Sequence, residues 1–144
     1  MAAEEVKPDD RELRALLGDA RTIAVVGLSS RSDRPSHGVA AYLRANGYRV
    51  IPVNPNESEV LGERAYPSLT DIPADIHVDV VDVFRRAEET PEVARQAVAI
   101  GASALWLQEG IVSDEAYRIA ADAGLDVVMG VCIRTQKQRL DREA

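Results

Sequence analysis

One cysteine in 144 residues rules out an internal disulfide, and with only two well-separated histidines beside it there is no metal-ligand cluster. No apolar run is long enough to cross a bilayer. The segment Met1 to Asp10 is acidic and polar, so it lacks the basic and then apolar form of a secretory signal. Basic residues are in the minority, 17 Lys and Arg against 24 Asp and Glu, for a formal net charge of -7. That balance argues against a general nucleic-acid or anionic-membrane surface, and leaves room for a local basic spot that takes one phosphorylated ligand. Internal repeats and low-complexity tracts are also missing. A soluble cytoplasmic protein is expected, with one domain spanning residues 1–144 and 46% apolar residues for its core.

What is present is concentrated near the start. The β-branched run Thr22 to Val26 stops in Gly27-Leu28-Ser29-Ser30, passes through Arg31 to Pro35, and enters an apolar-periodic segment from Val39 to Leu43. This is the form of a strand feeding a phosphate-cradling loop and then a helix. Gly27 permits backbone angles closed to other residues, and Ser29, Ser30 and Ser36 supply hydroxyl and backbone donors. Ser36 is the expected N-cap, and the helix behind it directs the positive end of its dipole at the same spot. Arg31 and Arg34 add fork-shaped donors for phosphate.

Along the rest of the chain, strands and helices alternate. A short helix capped by Asp9 or Asp10 runs through Leu17 and is stopped by Gly18. After the first strand, Thr22 to Leu28, a helix of about ten residues ends at Asn46-Gly47, and a second strand covers Tyr48 to Val53. The segment Asn54 to His77 carries three prolines and reads as an irregular crossover with a small strand and one helical turn. Val78 to Phe84, nearly continuous in Val, reads as a strand buried on both faces. Thr90 is expected to cap a helix through Ile100, Ala104 to Leu107 to form the fourth main strand, and Ser113 to cap a helix that Gly124 ends. Leu125 to Met129 is the fifth strand, and Arg134 to Arg142 a charged terminal helix.

This alternation implies an α/β fold: a Rossmann-like, doubly wound domain with a five-stranded parallel sheet, an extra N-terminal helix and the expected strand order 3-2-1-4-5. Ligands of such sheets sit beyond the carboxyl ends of the strands, here near a reversal between strands one and four. The candidate site is therefore Gly27 to Ser30, Asn54-Pro55, Phe84-Arg85-Arg86 and Gln108-Glu109-Gly110.

Neither usual signal for NAD is present. The first loop lacks G-x-G-x-x-G, and strand two ends in Val53-Asn54-Pro55-Asn56 without an acidic residue. A P-loop is missing too, so ATP hydrolysis has no support. The strings Val25-Val26-Gly27-Leu28-Ser29, Val53-Asn54-Pro55, Tyr66-Pro67-Ser68-Leu69, Val80 to Arg85 and Leu105-Trp106-Leu107-Gln108-Glu109-Gly110 occur in this order. Together, from about Thr22 to Cys132, they resemble the stand-alone CoA-binding protein family, which is similar to the CoA-binding domain of the succinyl-CoA synthetase alpha subunit.

The resemblance implies a Rossmann-like domain that binds coenzyme A. By position, Gly27, Ser29, Ser30 and Arg34 would contact phosphates, and Val53 and Asn54 would border the adenosine. Phe84, Arg85 and Arg86 would line the next edge, with Gln108, Glu109 and Gly110 toward the pantetheine arm. Where family members often read Met-Asp-Arg-Cys, this chain has Met129-Gly130-Val131-Cys132 and so lacks that acidic-basic pair.

The resulting expectation is non-covalent binding of CoA or acyl-CoA by a carrier, sensor or regulatory partner, with no catalytic residue assigned and any protein partner unidentified. An enzyme acting on a CoA thioester through Glu109 or Asp82, and an interaction domain responding to NAD or an adenine nucleotide, are the alternatives. Asp82 interrupts a Val-rich strand and needs a hydrogen-bond partner if buried; loop N–H groups are the expected source. Cys132 reads as an inert thiol, with a mixed disulfide to CoA as the sharper hypothesis. His37, His77 and Trp106 read as structural.

Overall fold

The Val-rich runs become parallel strands because helices cover both of their faces, leaving the backbone as the only polar part to satisfy. The computed structural model describes residues 4–143. Its elements are α1 (Asp10–Asp19), β1 (Thr22–Val26), α2 (Pro35–Ala45), β2 (Arg49–Val53), a two-stranded hairpin of β3 (Glu59–Val60) and β4 (Glu63–Arg64), β5 (Val80–Val83), α3 (Thr90–Ala99), β6 (Ala104–Leu107), α4 (Asp114–Asp122), β7 (Asp126–Met129) and α5 (Ile133–Arg142). Single 3₁₀ turns cover Leu69–Asp71 and Ala87–Glu89. The five-stranded parallel sheet and the N-terminal helix are as expected, and the fold is Rossmann-like.

Strand register sorts the core into two halves. Ile23, Val25, Val50, Val80, Trp106 and Val128 face one side, where Leu13 and Leu17 of α1, Val39 and Leu43 of α2, and Ile133 and Leu140 of α5 close over them. On the other side Ala24, Val26, Ile51, Val81, Leu105 and Leu107 meet Ala94 and Ala97 of α3 and Ala116 and Ala120 of α4. Those alanines let α3 and α4 lie close to the sheet and to each other.

The strand order differs from the expected 3-2-1-4-5. The sheet runs β2-β1-β5-β6-β7, so the third main strand lies beside β1, pairing from Ile23 with Val80 to Val26 with Val83. β1 and β5 are both apolar and buried along almost their whole lengths, so burial pattern alone cannot tell which neighbours which. The crossing over β1 is made by the irregular Asn54 to Asp79 segment, whose Leu69 and Ile72 pack into the α3/α4 side of the core in place of a helix. The order therefore reverses between β1 and β5, not between the first and fourth main strands.

Three helix ends also differ. Helix α1 runs through Gly18 to Asp19, and a Cβ at Gly18 would meet nothing within 4 Å, so this glycine weakens the helix without ending it. Helix α2 starts at Pro35 with Arg34 as N-cap and no capping side chain, because proline needs no N–H partner there. Thr90 is the first residue of α3 and its hydroxyl donates back to the Ala87 carbonyl at 2.7 Å. Asp9 and Ser113 do cap, accepting from the Glu12 and Ala116 amides, and Asn46-Gly47 ends α2 with Gly47 at φ +95°.

Leu13 on α1 is fully buried against the sheet. Leu13→Ala should lower unfolding free energy by about 2–5 kcal/mol, the usual cost of such a cavity, seen as a lower urea midpoint at unchanged slope.

A candidate ligand site at the carboxyl edge of the sheet

The reversal between β1 and β5 splits the loops that follow them. At the junction Gly27 takes φ +88°, and a Cβ there would run into the Phe84 carbonyl oxygen. The corner is pinned on both sides: the Phe84 amide donates to the Val26 carbonyl and the Gly27 amide to the Val53 carbonyl, each at 2.8 Å. Glycine is thus required twice over, by its backbone angle and by the close approach of β5.

A cleft opens on each side of this corner. The first, ≈ 340 Å³, is lined by Gly27, Ser29, Arg31, Arg34, Pro35, Ser36 and Phe84. Its lining carries two hydroxyl side chains, Ser29 and Ser36, and two guanidinium groups, Arg31 and Arg34. Arg31 is engaged with Asp33 at 3.1 Å, whereas among the described residues Arg34 has no ion-pair partner. The second, ≈ 420 Å³, has walls from Val26, Val53, Pro55, Pro67, Leu69 and Val93, with Arg85, Glu89 and Gln96 also at its border. It is largely apolar and lies between the crossover and α3.

Of the residues nominated from sequence, Gly27, Ser29, Arg34, Ser36 and Phe84 gather at the first cleft, and Val53 and Arg85 at the second. Ser36 is buried and serves as an acceptor, taking the Ser29 amide at 3.1 Å, and not as the helix cap. Ser30 is exposed at the rim, its amide bound to Glu57 at 2.7 Å. The Asn54 amide group is committed to the frame: it donates to the Leu28 carbonyl at 3.1 Å and accepts from the Asn56 amide at 3.0 Å, tying the loop after β2 to the loop after β1. Arg86 is exposed and lies near Glu88 and Glu89, outside both clefts.

The remaining three, Gln108, Glu109 and Gly110, line neither cleft. Glu109 and Gly110 are exposed beyond β6, and Gln108 turns inward, where its side-chain amide donates to the Asp82 carboxyl. Asp82 therefore bonds to a side chain and not to loop N–H groups, and among the described residues its second oxygen has no partner. Cys132 is half-buried at the N-terminus of α5, and Trp106 is fully buried with its indole N–H donating to the Val131 carbonyl at 2.8 Å.

Residues that sequence reading missed are Glu57, Pro67, Leu69, Val93 and Gln96. The last four come from the crossover and α3, and only the reversal between β1 and β5 brings them to the β1 and β2 tips. The turn signal Asn54-Pro55-Asn56 was the available clue to Glu57, since a turn there sends the next side chain back over the first loop.

Burial raises the Asp82 carboxyl pKa to about 8, with the bond from Gln108 acting in the opposite direction. The folded protein thus holds a proton that the unfolded chain, at the ordinary 3.8, releases. Asp82's contribution to stability is full below that lower value, falls as pH rises, and is lost once pH has passed through about 8. Replacing Asp82 by Asn keeps the shape and removes the proton. Urea unfolding between pH 5 and 9 should show wild type losing stability relative to Asp82→Asn as pH rises. Parallel profiles would contradict a neutral Asp82. Gly27→Ala should cost on the order of 2–4 kcal/mol in the same assay, because both its angle and its neighbour oppose the methyl group.

Comparison with known proteins bears on what such a site takes. A family model described as a CoA binding domain matches residues 21–138. The chain is 42% identical over 127 residues to the uncharacterized protein YneT of Bacillus subtilis, covering 88% of this chain and 93% of that one. It is 31% identical over 83 residues to the ADP-forming acetate–CoA ligase II of Archaeoglobus fulgidus, which is 56% of this chain and 12% of the ligase. A solved structure of a hypothetical protein from Pyrococcus horikoshii superposes with a TM-score of 0.88 at 38% identity, covering 95% of this chain and 98% of that one. With a family model that matches residues 21–138, the chain belongs to the CoA binding domain family.

Proposed function

We propose that this protein binds coenzyme A or an acyl-CoA non-covalently across the carboxyl edge of the sheet, and that it works as a carrier, sensor or regulatory partner. The observation that carries the reading is the pair of unlike clefts on the two sides of the Gly27 corner. CoA joins an adenine, which favours an apolar slot, to phosphates, which favour hydroxyls and guanidinium groups. The apolar cleft suits the first and the Arg34 cleft the second, one covalent ligand bridging them over the corner. Arg85, half-buried at the apolar cleft and without an ion-pair partner among the described residues, is the proposed contact for the ribose phosphate. Glu109 and Gly110 remain the proposed neighbours of the pantetheine arm, with Gln108 held behind them by Asp82.

No catalytic step is assigned. Asp82 is closed off from solvent and bonded to Gln108, and Glu109 is exposed, which is not how an acid-base pair for a thioester would be arranged.

Calorimetric titration with CoA, using dephospho-CoA, NAD and ATP in parallel, tests the reading. Saturable binding that favours CoA is the expected result, and no binding of CoA would withdraw it. Arg34→Ala should weaken CoA roughly tenfold, the worth of one charge-assisted contact, and leave adenosine unchanged. Equal losses for both ligands would remove Arg34 from the phosphate site.

A further inference from the structure

Several backbone donors of the first loop are already occupied. The Gly27 amide goes to the Val53 carbonyl, the Ser29 amide to Ser36 Oγ and the Arg31 amide to Ser29 Oγ at 3.1 Å. Those acceptors are neutral, and they belong to the loop, its helix or its neighbouring strand. The Ser30 amide differs. Its acceptor is Glu57 Oε2 at 2.7 Å, a charged side chain reaching back from the loop after β2.

Glu57 is held in that position by a short turn: its own amide donates to the Asn54 carbonyl at 3.2 Å, and the Asn56 amide donates to Asn54 Oδ1. Among the described residues it has no ion-pair partner, so its charge answers to the Ser30 N–H. The side chain is half-buried and bridges two loops, so it can leave without dismantling the Ser29–Ser36 frame.

We propose that Glu57 is an internal anion that holds the Ser30 donor in competition with a ligand's phosphate, so that a ligand can use that donor only by displacing it. The inference rests on the phosphate reading of the Arg34 cleft. A carboxylate beside that cleft repels small free anions, and only a ligand with enough additional contact, such as one that also fills the apolar cleft, overcomes it. Selection against inorganic phosphate and similar anions follows without any steric gate.

Glu57→Gln keeps the length and an oxygen acceptor and removes the charge. It should bind CoA about three- to tenfold more tightly than wild type, as expected for deleting one partly screened like charge next to the phosphates. The gain should shrink in high salt, and adenosine should bind both proteins equally. Wild type binding CoA with the variant equal or weaker overturns the proposal. So does a variant that loses dephospho-CoA and NAD, which would make Glu57 an acceptor for ribose hydroxyls.

If neither protein binds CoA, the functional reading fails, and inorganic pyrophosphate decides the rest. Amide resonances from Ser29 to Ser36 that shift in Glu57→Gln at concentrations leaving wild type unmoved support the internal anion. Equal responses, or none in either protein, overturn it.

Discussion

The contact between the tips of β1 and β5 at Gly27 governs the upper half of the molecule. Two parallel strands can touch there only because residue 27 has no side chain and takes a left-handed backbone angle beneath the Phe84 carbonyl. Above that contact the chain leaves the sheet in two directions, toward α2 on one face and toward α3 on the other. The two clefts are the openings so created, and their walls adjoin where the chain passes from Val26 to Gly27 and from Phe84 to Arg85.

Charge is distributed to match. The protein is acidic overall, at -7, yet Arg31 and Arg34 both border the cleft beside Gly27. Deep in the sheet the opposite solution is used: Asp82 is buried and held neutral, and its bond to Gln108 links β5 to the end of β6. A carboxyl that keeps its proton costs less in an apolar layer than an ion would, and it still offers an acceptor that fixes one side chain.

Much of this was legible in the chain itself, where local chemistry decides the outcome. The Val-rich strands, the Ser113 cap and the Asn46-Gly47 helix end each depend on a few neighbouring residues, and they form as read. The strand order depends on which of two equally apolar strands neighbours β1, a choice made by a crossover whose three prolines hide its path. The roles of Ser36 and Thr90 were misread for a related reason. A hydroxyl at the head of a helix can cap it or bond elsewhere, and here Ser36 serves the Ser29 amide and Thr90 the Ala87 carbonyl. The pairing of Gln108 with Asp82 has no local signal, since the two lie 26 residues apart along the chain, whereas Glu57 and Ser30, 27 apart, are joined only through the Asn54-Pro55-Asn56 turn.

The crossover from β2 to β5 carries a two-residue-per-strand hairpin and a single 3₁₀ turn where doubly wound folds ordinarily place a helix. A helix there would fill the space beside the tips Val26 and Val53, which are already buried. Leaving it out keeps a hollow of ≈ 420 Å³ lined by Leu69 and Val93. The hollow is thus a shortfall in packing, and a chain rebuilt for maximum stability at this crossover would close the opening that the proposed adenine would enter.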